Sequence, residues 1–360
     1  MRKKFKLNQS LTEPIARIDF DDKICCRQLT LMLHIHNGDS TAHTAKAASI
    51  PGDHFPWREA LVCGPTPGDL SETDFLKMRA QHLSGSYQVP FDKCLAELRA
   101  MHEALASFAE HEEVVLWFEH DLFCQVQLIY LLNWFAAREM GETKLSLVCI
   151  DHFPGVQPFH GLGELNQEQL QSLYPGRSNI TAAQLELAVR AWGAYSSADA
   201  RRLIALLRSD TSALPFLRDA LKKHLERFPS TRNGLGRVEN TTLELIPAGY
   251  KKFRSLFPAF SRRESAYGFG DAQVYLAMEG MMSARKPLLV QHVPDHWSRD
   301  SAQILLASFE LTDDGKAVLA GEEDFVLTNG IDTWLGGIHL SGHEADWRWD
   351  EDSQQLLVSL

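Results

Sequence analysis

Three ionisable residues, Glu119, His120 and Asp121, directly follow the apolar run Val114–Phe118. Charged groups beside a buried segment lose hydration, which is tolerated where they face water, pair with one another or bind a ligand. Carboxylates next to a histidine suit general acid–base catalysis or metal ligation. We therefore predict Glu119, His120 and Asp121 as catalytic residues. The alternative is an acidic first turn of a helix, which the helix dipole favours without any function.

A second polar group lies at the end of Leu29–His36, a short apolar segment that predicts a strand. The group consists of His36, Asn37, Gly38, Asp39 and Ser40. If a helix begins here, its first backbone N–H groups can bind an anion. We predict that these five residues bind a ligand, and the alternative is an ordinary N-terminal cap.

Arg58 and Gln125 complete the predicted ligand site. Arg58 follows a short apolar segment and would hold an anionic group, whereas Gln125 lies one helical turn beyond Asp121 and is expected on the same face. The predicted ligand is a small anionic molecule such as a nucleotide or phosphoester, with Glu119 or His120 moving protons. The histidines at the strand ends show no His-x-x-x-His spacing, so no metal ion is assigned, and the sequence identifies no cofactor.

A parallel sheet is needed to bring these residues together. Four short apolar runs are predicted as strands, at Leu29–His36, His54–Trp57, Glu113–Phe118 and Lys144–Ile150. Helical patterns lie between them, and this alternation predicts a doubly wound, mostly parallel, Rossmann-like α/β sheet. Because parallel strands end at the same edge of a sheet, the polar groups are expected to line one crevice.

Four regions are predicted along the chain. Residues 1–29 are expected to form a mobile extension, and Met32 is an alternative start of the chain. Residues 30–155 are predicted as the α/β domain and residues 156–228 as a helical segment. Residues 229–360 are predicted as a winged-helix-like α+β domain, because three short helical patterns precede two strand patterns there.

The charge distribution bears on nucleic-acid binding. The net charge is −11, and residues 295–360 contain 14 acidic and 3 basic residues, so this segment would repel a phosphate backbone. The basic residues that could contact DNA are Lys251, Lys252, Arg254, Arg262 and Arg263. A regulatory or nucleic-acid-associated protein is therefore the alternative function. DNA is disfavoured as a partner, since the third helix of this region carries Asp271 and Glu279 where base-reading side chains are expected.

The composition points to the cytoplasm. The chain has no run of about 18 uncharged apolar residues, and its basic start lacks the apolar segment of a signal peptide, so no membrane partner is expected. None of the six cysteines forms a Cys-x-x-Cys pair, which fits reduced cytoplasmic thiols.

Three short motifs stand out in combination, at Leu33–Ser40, Pro56–Leu61 and Leu116–Leu122. Together they resemble a bacterial family catalogued as domain of unknown function 1835. The resemblance covers residues 31–150 and implies that the polar segments belong to one domain. Later segments such as Asn329–Gly337 look like those that accompany this domain in longer members. The resemblance implies no particular activity.

Overall fold

The computed structural model describes residues 32–294 and 301–358 and has a mixed α/β fold. The predicted extension at residues 1–29 lies outside the described residues. A five-stranded sheet has the order β2-β1-β3-β4-β5. Its strands are β1 (Met32–His36), β2 (Asp53–Pro56), β3 (Glu113–Glu119), β4 (Lys144–Ile150) and β5 (Ser178–Asn179). The first four strands are parallel and β5 is antiparallel to β4, so the expected mostly parallel α/β sheet is confirmed.

The central strand, β3, is covered on both faces. Residues Val114–Phe118 are fully buried, as is typical of a parallel strand between two helical layers. Val115 and Trp117 pack into one apolar cluster, while the alternate residues of the strand pack into another. Because side chains alternate between the faces of a strand, one apolar run supplies both layers.

Helices form the two layers. The layer beneath Val115 and Trp117 contains α1 (Asp39–Ala47) and α5 (Gln167–Leu173), which contact each other. The opposite layer is built from α2 (Glu72–Tyr87), α3 (Phe91–Ala106), α4 (Leu122–Ala136) and α6 (Ala182–Tyr195). Nearly every residue of α4 is buried, because this helix lies between the sheet and α6.

The remaining chain adds helices and small sheets. Its helices are α7 (Arg201–Arg208), α8 (Leu217–Leu225), α9 (Arg237–Leu245), α10 (Phe253–Arg263), α11 (Asp271–Met282), α12 (Ser301–Ile304), α13 (Asp313–Ala320) and α14 (Phe325–Asn329). Three antiparallel pairs follow α11, namely β6 (Leu289–His292) with β7 (Ser308–Leu311), β8 (Ile331–Leu335) with β9 (Ile338–Gly342), and β10 (Trp347–Asp350) with β11 (Gln355–Val358). Among residues 32–294 and 301–358, no helix has the length and apolar character to cross a membrane.

The two ends of the described chain share one core. A single apolar cluster extends from Leu33 in β1 to Leu356 in β11. The turn between β8 and β9 also packs on the N-terminal half: the Gly336 carbonyl accepts from the Thr66 N–H at 3.0 Å, and the Gly337 N–H donates to the Tyr195 carbonyl at 2.9 Å. A Cβ atom at Gly337 would lie 1.9 Å from a backbone oxygen of α6's C-terminal turn, so only glycine fits.

Candidate functional site

A cleft of about 360 Å³ lies at the carboxyl ends of β1 and β3. Its walls come from two distant parts of the chain. The strand-end residues that line it are Asn37, Gly38, Asp39, Arg58, Glu119 and Asp121. The opposing wall comes from α10, from the segment between α10 and α11, and from the first turn of α11. Ligands of open parallel sheets bind at this edge, so the cleft occupies the expected position.

Glu119, the last residue of β3, lies at the buried end of a hydrogen-bond network. One of its oxygens accepts from the Leu162 N–H at 2.6 Å, and the other accepts from the Cys124 thiol at 2.7 Å and from the Asn37 amide. Gly161, next to Leu162, has a φ of +134°, and a Cβ atom there would lie 2.9 Å from Glu119 Oε1. Burial, followed by the nearby Asp121 carboxylate, raises the pKa of Glu119 from 4.5 to about 8.

Asp121, the residue directly before α4, carries the second buried carboxyl group. Its side chain caps the helix by accepting from the Cys124 N–H at 2.8 Å. Burial raises the pKa of Asp121 as well. Within the described part of the chain, neither Glu119 nor Asp121 forms an ion pair with a lysine or arginine. The cleft therefore contains two neighbouring carboxyl groups that no lysine or arginine of the described residues pairs with.

Arg58 and Asp39 form an ion pair on the cleft wall. Arg58 Nη2 lies 2.6 Å from Asp39 Oδ1, and Arg58 Nε lies 3.0 Å from both carboxylate oxygens. The Arg58 side chain is 31% exposed and that of Asp39 is 13% exposed. The guanidinium that was predicted to hold an anion is thus already neutralised by a carboxylate.

The loop that carries Arg58 is held by a buried ion pair. Arg79 of α2 is 0% exposed and donates to Glu59 at 2.7 Å. It also donates to three backbone carbonyls of the loop, those of Ala60, Cys63 and Pro65. The Arg79 guanidinium thereby organises the Pro56–Leu61 motif from inside the protein. Its role was not recognised in the sequence, since an arginine within an α-helix has no distinguishing local pattern.

Several cleft residues were absent from the predicted site. They are apolar residues such as Leu83, Leu98, Met101, Phe123 and Phe269, and polar residues such as Glu97, Glu264, Asp271 and Gln273. Trp57 also lines the cleft, and its buried Nε1 has no hydrogen-bond partner among the described residues. The segment Gly268–Asp271, in which two glycines precede an acidic helix start, is the one sequence signal that could have indicated this wall.

His36 and Ser40 do not line the cleft, which corrects their expected placement. His36 is fully buried beneath α1, where its Nε2 lies 3.0 Å from His54 Nδ1 and its ring stacks on Trp117. Burial lowers the pKa of His36 well below its ordinary value, so this ring is neutral. The Ser40 hydroxyl donates to the Gly163 carbonyl at 3.0 Å, on the outer side of α1.

His120 and Gln125 also lie outside the cleft. The His120 ring contacts Phe216 in the loop before α8, and its buried Nδ1 has no hydrogen-bond partner in the described residues. Gln125 donates to the backbone carbonyl of Glu119 at 2.7 Å and lines a second cavity of about 290 Å³. Gln125 therefore supports the end of β3 rather than contacting a ligand in the main cleft.

Glu119, Asp121 and Cys124 also have the composition of a metal site. Each offers one ligand atom, and the three atoms lie within 4.8 Å of one another. However, the Leu162 N–H, the Asn37 amide and the Cys124 thiol already donate to Glu119. A cation would have to displace the Asn37 amide and the thiol proton, so we assign no metal ion to these three residues.

Comparison with known proteins adds no relative. No family model matches the chain, and no curated protein matches it either. The resemblance to domain of unknown function 1835 therefore stays a prediction.

Proposed function

We propose that this protein is an enzyme that binds a small organic molecule in the cleft and transfers a proton to or from it through Glu119 and Asp121. The observation that carries the proposal is the pair of buried carboxyl groups at the end of β3, which border the cleft and form no ion pair with a lysine or arginine that the structure describes. Burying two such carboxyl groups costs folding free energy, and groups of this kind cluster at functional sites.

The two carboxyl groups suit different roles. Glu119, with a pKa near 8, carries its proton at neutral pH and serves as the general acid. Burial raises the pKa of Asp121 too, but the Cys124 N–H bond and the neighbouring His120 both favour its ionised form, so Asp121 serves as the base or as a binding carboxylate. Two carboxyl groups with different environments are a recurring basis of acid–base catalysis.

An anionic ligand such as a nucleotide or phosphoester is the first candidate. Arg58 supports it, because this arginine lines the cleft and is 31% exposed. A phosphate would bind there by taking the place of Asp39 in the ion pair.

A ligand screen followed by a turnover assay tests the proposed function. The full chain and its Glu119→Gln variant are heated with a panel of nucleotides, sugar phosphates, amines and organic acids, and compounds that raise Tm are incubated with the protein and followed by NMR. We expect at least one compound to be converted by the wild type and bound without conversion by Glu119→Gln. Equal conversion by both proteins, or no compound that raises Tm, would contradict the proposal.

A regulatory, nucleic-acid-associated role is the second candidate. The order α9, α10, α11 and the β6–β7 pair supports a winged-helix-like interpretation of this part of the chain. Two of its basic residues have acidic partners, since Lys251 contacts Glu310 at 3.1 Å and Arg263 contacts Glu244. Salt-dependent DNA binding that is lost when Lys252, Arg254 and Arg262 are changed to alanine would favour this role.

A further inference from the structure

The charges that line the cleft are predominantly negative. Six carboxyl groups contribute to its walls, against one arginine and one histidine. These groups are Asp39, Glu97, Glu119, Asp121, Glu264 and Asp271. An anion entering the cleft would approach acidic residues from several sides, whereas a cation would be attracted by those that carry an unpaired charge.

Ion pairs within the protein neutralise three of the six. Asp39 binds Arg58, Glu264 accepts from Arg237 at 2.7 Å, and Glu97 lies 3.9 Å from a lysine one helical turn away. Burial raises the pKa of Glu119 to about 8, so this carboxyl group is protonated at neutral pH. Asp121 and Asp271 are the two carboxylates of the cleft that remain without an ion pair to lysine or arginine in residues 32–294 and 301–358.

Asp121 and Asp271 lie on neighbouring parts of the cleft wall. The Asp121 carboxylate packs against the backbone of Gly268, three residues before Asp271. Asp271 begins α11, and one of its oxygens accepts from the Ala272 N–H at 2.8 Å. Each carboxylate thus has a single backbone donor among the described hydrogen bonds and retains acceptor sites that can face the cleft.

The rest of the cleft is apolar. Leu83, Leu98, Met101, Phe123 and Phe269 contribute side chains to its lining. A ligand that consists only of a charged group would leave this apolar surface exposed to water, whereas an alkyl or aryl body would cover it.

We propose that the ligand of the cleft is a primary amine with an apolar body, whose ammonium group binds Asp121 and Asp271. This inference rests on the proposed function and replaces the anionic ligand class with a cationic one. The ammonium supplies the charge that the two carboxylates lack, and it offers three N–H donors for their remaining acceptor sites. A cleft of about 360 Å³ accommodates a molecule of this size.

Three probes of similar shape and different charge test the ligand class. Phenethylamine is the cation, phenylethanol the neutral analogue and phenylpropanoate the anion, and inorganic phosphate is added as a second anion. Binding of each to the full chain is measured at pH 7 by thermal shift and by calorimetry. We expect phenethylamine to raise Tm and the other three to leave it unchanged.

Two matched variants locate the binding. Asp271→Asn keeps the size and the backbone hydrogen bond, and we expect it to weaken phenethylamine binding about tenfold or more, the loss typical of a charged hydrogen bond. The exposed Asp219→Asn, on α8, removes the same charge from a residue that does not line the cleft, and this variant should bind like the wild type. A variant that unfolds is recognised by its Tm without ligand, and Asp121→Asn, which retains a capping side chain, then takes its place.

The remaining outcomes separate this inference from the proposed function. Binding of phenylpropanoate or phosphate that is lost in Arg58→Gln would overturn the cationic ligand and leave acid–base catalysis in the cleft standing. Phenethylamine binding that is equal in wild type and Asp271→Asn would also overturn it. Absence of any probe binding, together with conversion of another compound by the wild type alone, would overturn the ligand class and support the proposed function.

Discussion

The carboxylate of Asp121 packs directly against the backbone of Gly268, so that a Cβ atom at Gly268 would lie 2.2 Å from Asp121 Oδ1. Gly268 has a φ of +64°, a left-handed conformation that glycine adopts without strain. This contact joins the start of α4 to the segment before α11 and brings the two walls of the cleft together. It is possible only because one partner has no side chain.

Replacement of Gly268 by alanine should destabilise the protein. We expect Gly268→Ala to lower the free energy of unfolding by about 1–3 kcal/mol, because the left-handed backbone is strained for alanine and the new methyl group collides with Asp121. Urea unfolding followed by circular dichroism measures the change. Gly38→Ala is the matched control in the same cleft, since Gly38 has an extended backbone and a Cβ atom there would meet no atom within 4 Å. Equal losses in the two variants would contradict the prediction.

The buried proton of Glu119 should make stability depend on pH. Its pKa is about 8 in the folded protein and 4.5 ordinarily, so between these values the unfolded chain releases a proton that the folded chain keeps. The contribution of Glu119 to stability therefore falls as pH rises from 4.5 to 8. Unfolding free energies at half-unit pH steps should show the wild type losing stability relative to Glu119→Gln over this range. Parallel curves would argue against a buried proton, and the exposed Glu110→Gln is the control.

Acid should weaken the protein through its buried histidines. His34 and His54 stack beneath α1, and burial lowers the pKa of His34 from 6.5 to about 4. Between pH 6.5 and pH 4, His34 is protonated in the unfolded chain but not in the folded chain. The free energy of unfolding therefore falls by about 3 kcal/mol as the pH decreases from 6.5 to 4.

A variant at this position tests the assignment. His34→Asn retains an acceptor for the Trp117 N–H and should flatten the acid limb of a plot of Tm against pH, although Tm at neutral pH is lower. The exposed His43→Asn, on α1, should leave the slope of the wild type unchanged. An acid limb that is equally steep in all three proteins would assign the effect to other groups.

Replacing only one partner of the Glu59–Arg79 ion pair should strongly lower the free energy of unfolding. Arg79→Met leaves the Glu59 carboxylate buried without a cation, and we expect a loss of about 3–5 kcal/mol in unfolding free energy. The double variant Arg79→Met/Glu59→Gln should regain part of this loss, since the buried charge is gone. Lys77→Met, an exposed change in the same helix, provides the baseline. A double variant less stable than Arg79→Met alone would refute this account.

The sheet and half of the cleft follow from sequence patterns. The apolar run at β3 is long enough to require cover on both faces, and parallel strands place their ends at one edge. These two rules are sufficient to bring Asn37, Asp39, Glu119 and Asp121 together from separate parts of the chain. Arg58 joins them because its loop begins at the end of β2.

The direction in which each side chain of a polar segment points was not predictable in the same way. His36 is adjacent to Asn37 in sequence, but side chains alternate along a strand, and its ring lies beneath α1 with that of His34. A prediction that assigns consecutive polar residues to one site does not take this alternation into account. Likewise, His120 lies between two cleft residues and contacts Phe216 instead.

The contact between the second wall and the strand ends could not be inferred, because no local sequence pattern connects the two segments. Asp271 was recognised as unsuited to reading DNA bases, and the structure places it in the cleft instead. Its proximity to Asp121 depends on packing between segments about 150 residues apart, which periodicity does not encode. Cys124 is a buried free thiol, and no sequence pattern indicates its hydrogen bond to Glu119.

The β8–β9 turn, which packs on Thr66 and Tyr195, has a consequence for the newly made chain. Synthesis proceeds from the N-terminus, so both partners emerge from the ribosome long before Gly336 and Gly337 exist. Until then a Thr66 N–H and a Tyr195 carbonyl of the early segments lack their final partners, and contacts of such sequence separation form slowly. The N-terminal half therefore completes its packing only after residue 337 has been made. Chains that stall before residue 336 would leave these two backbone groups without their partners in the β8–β9 turn.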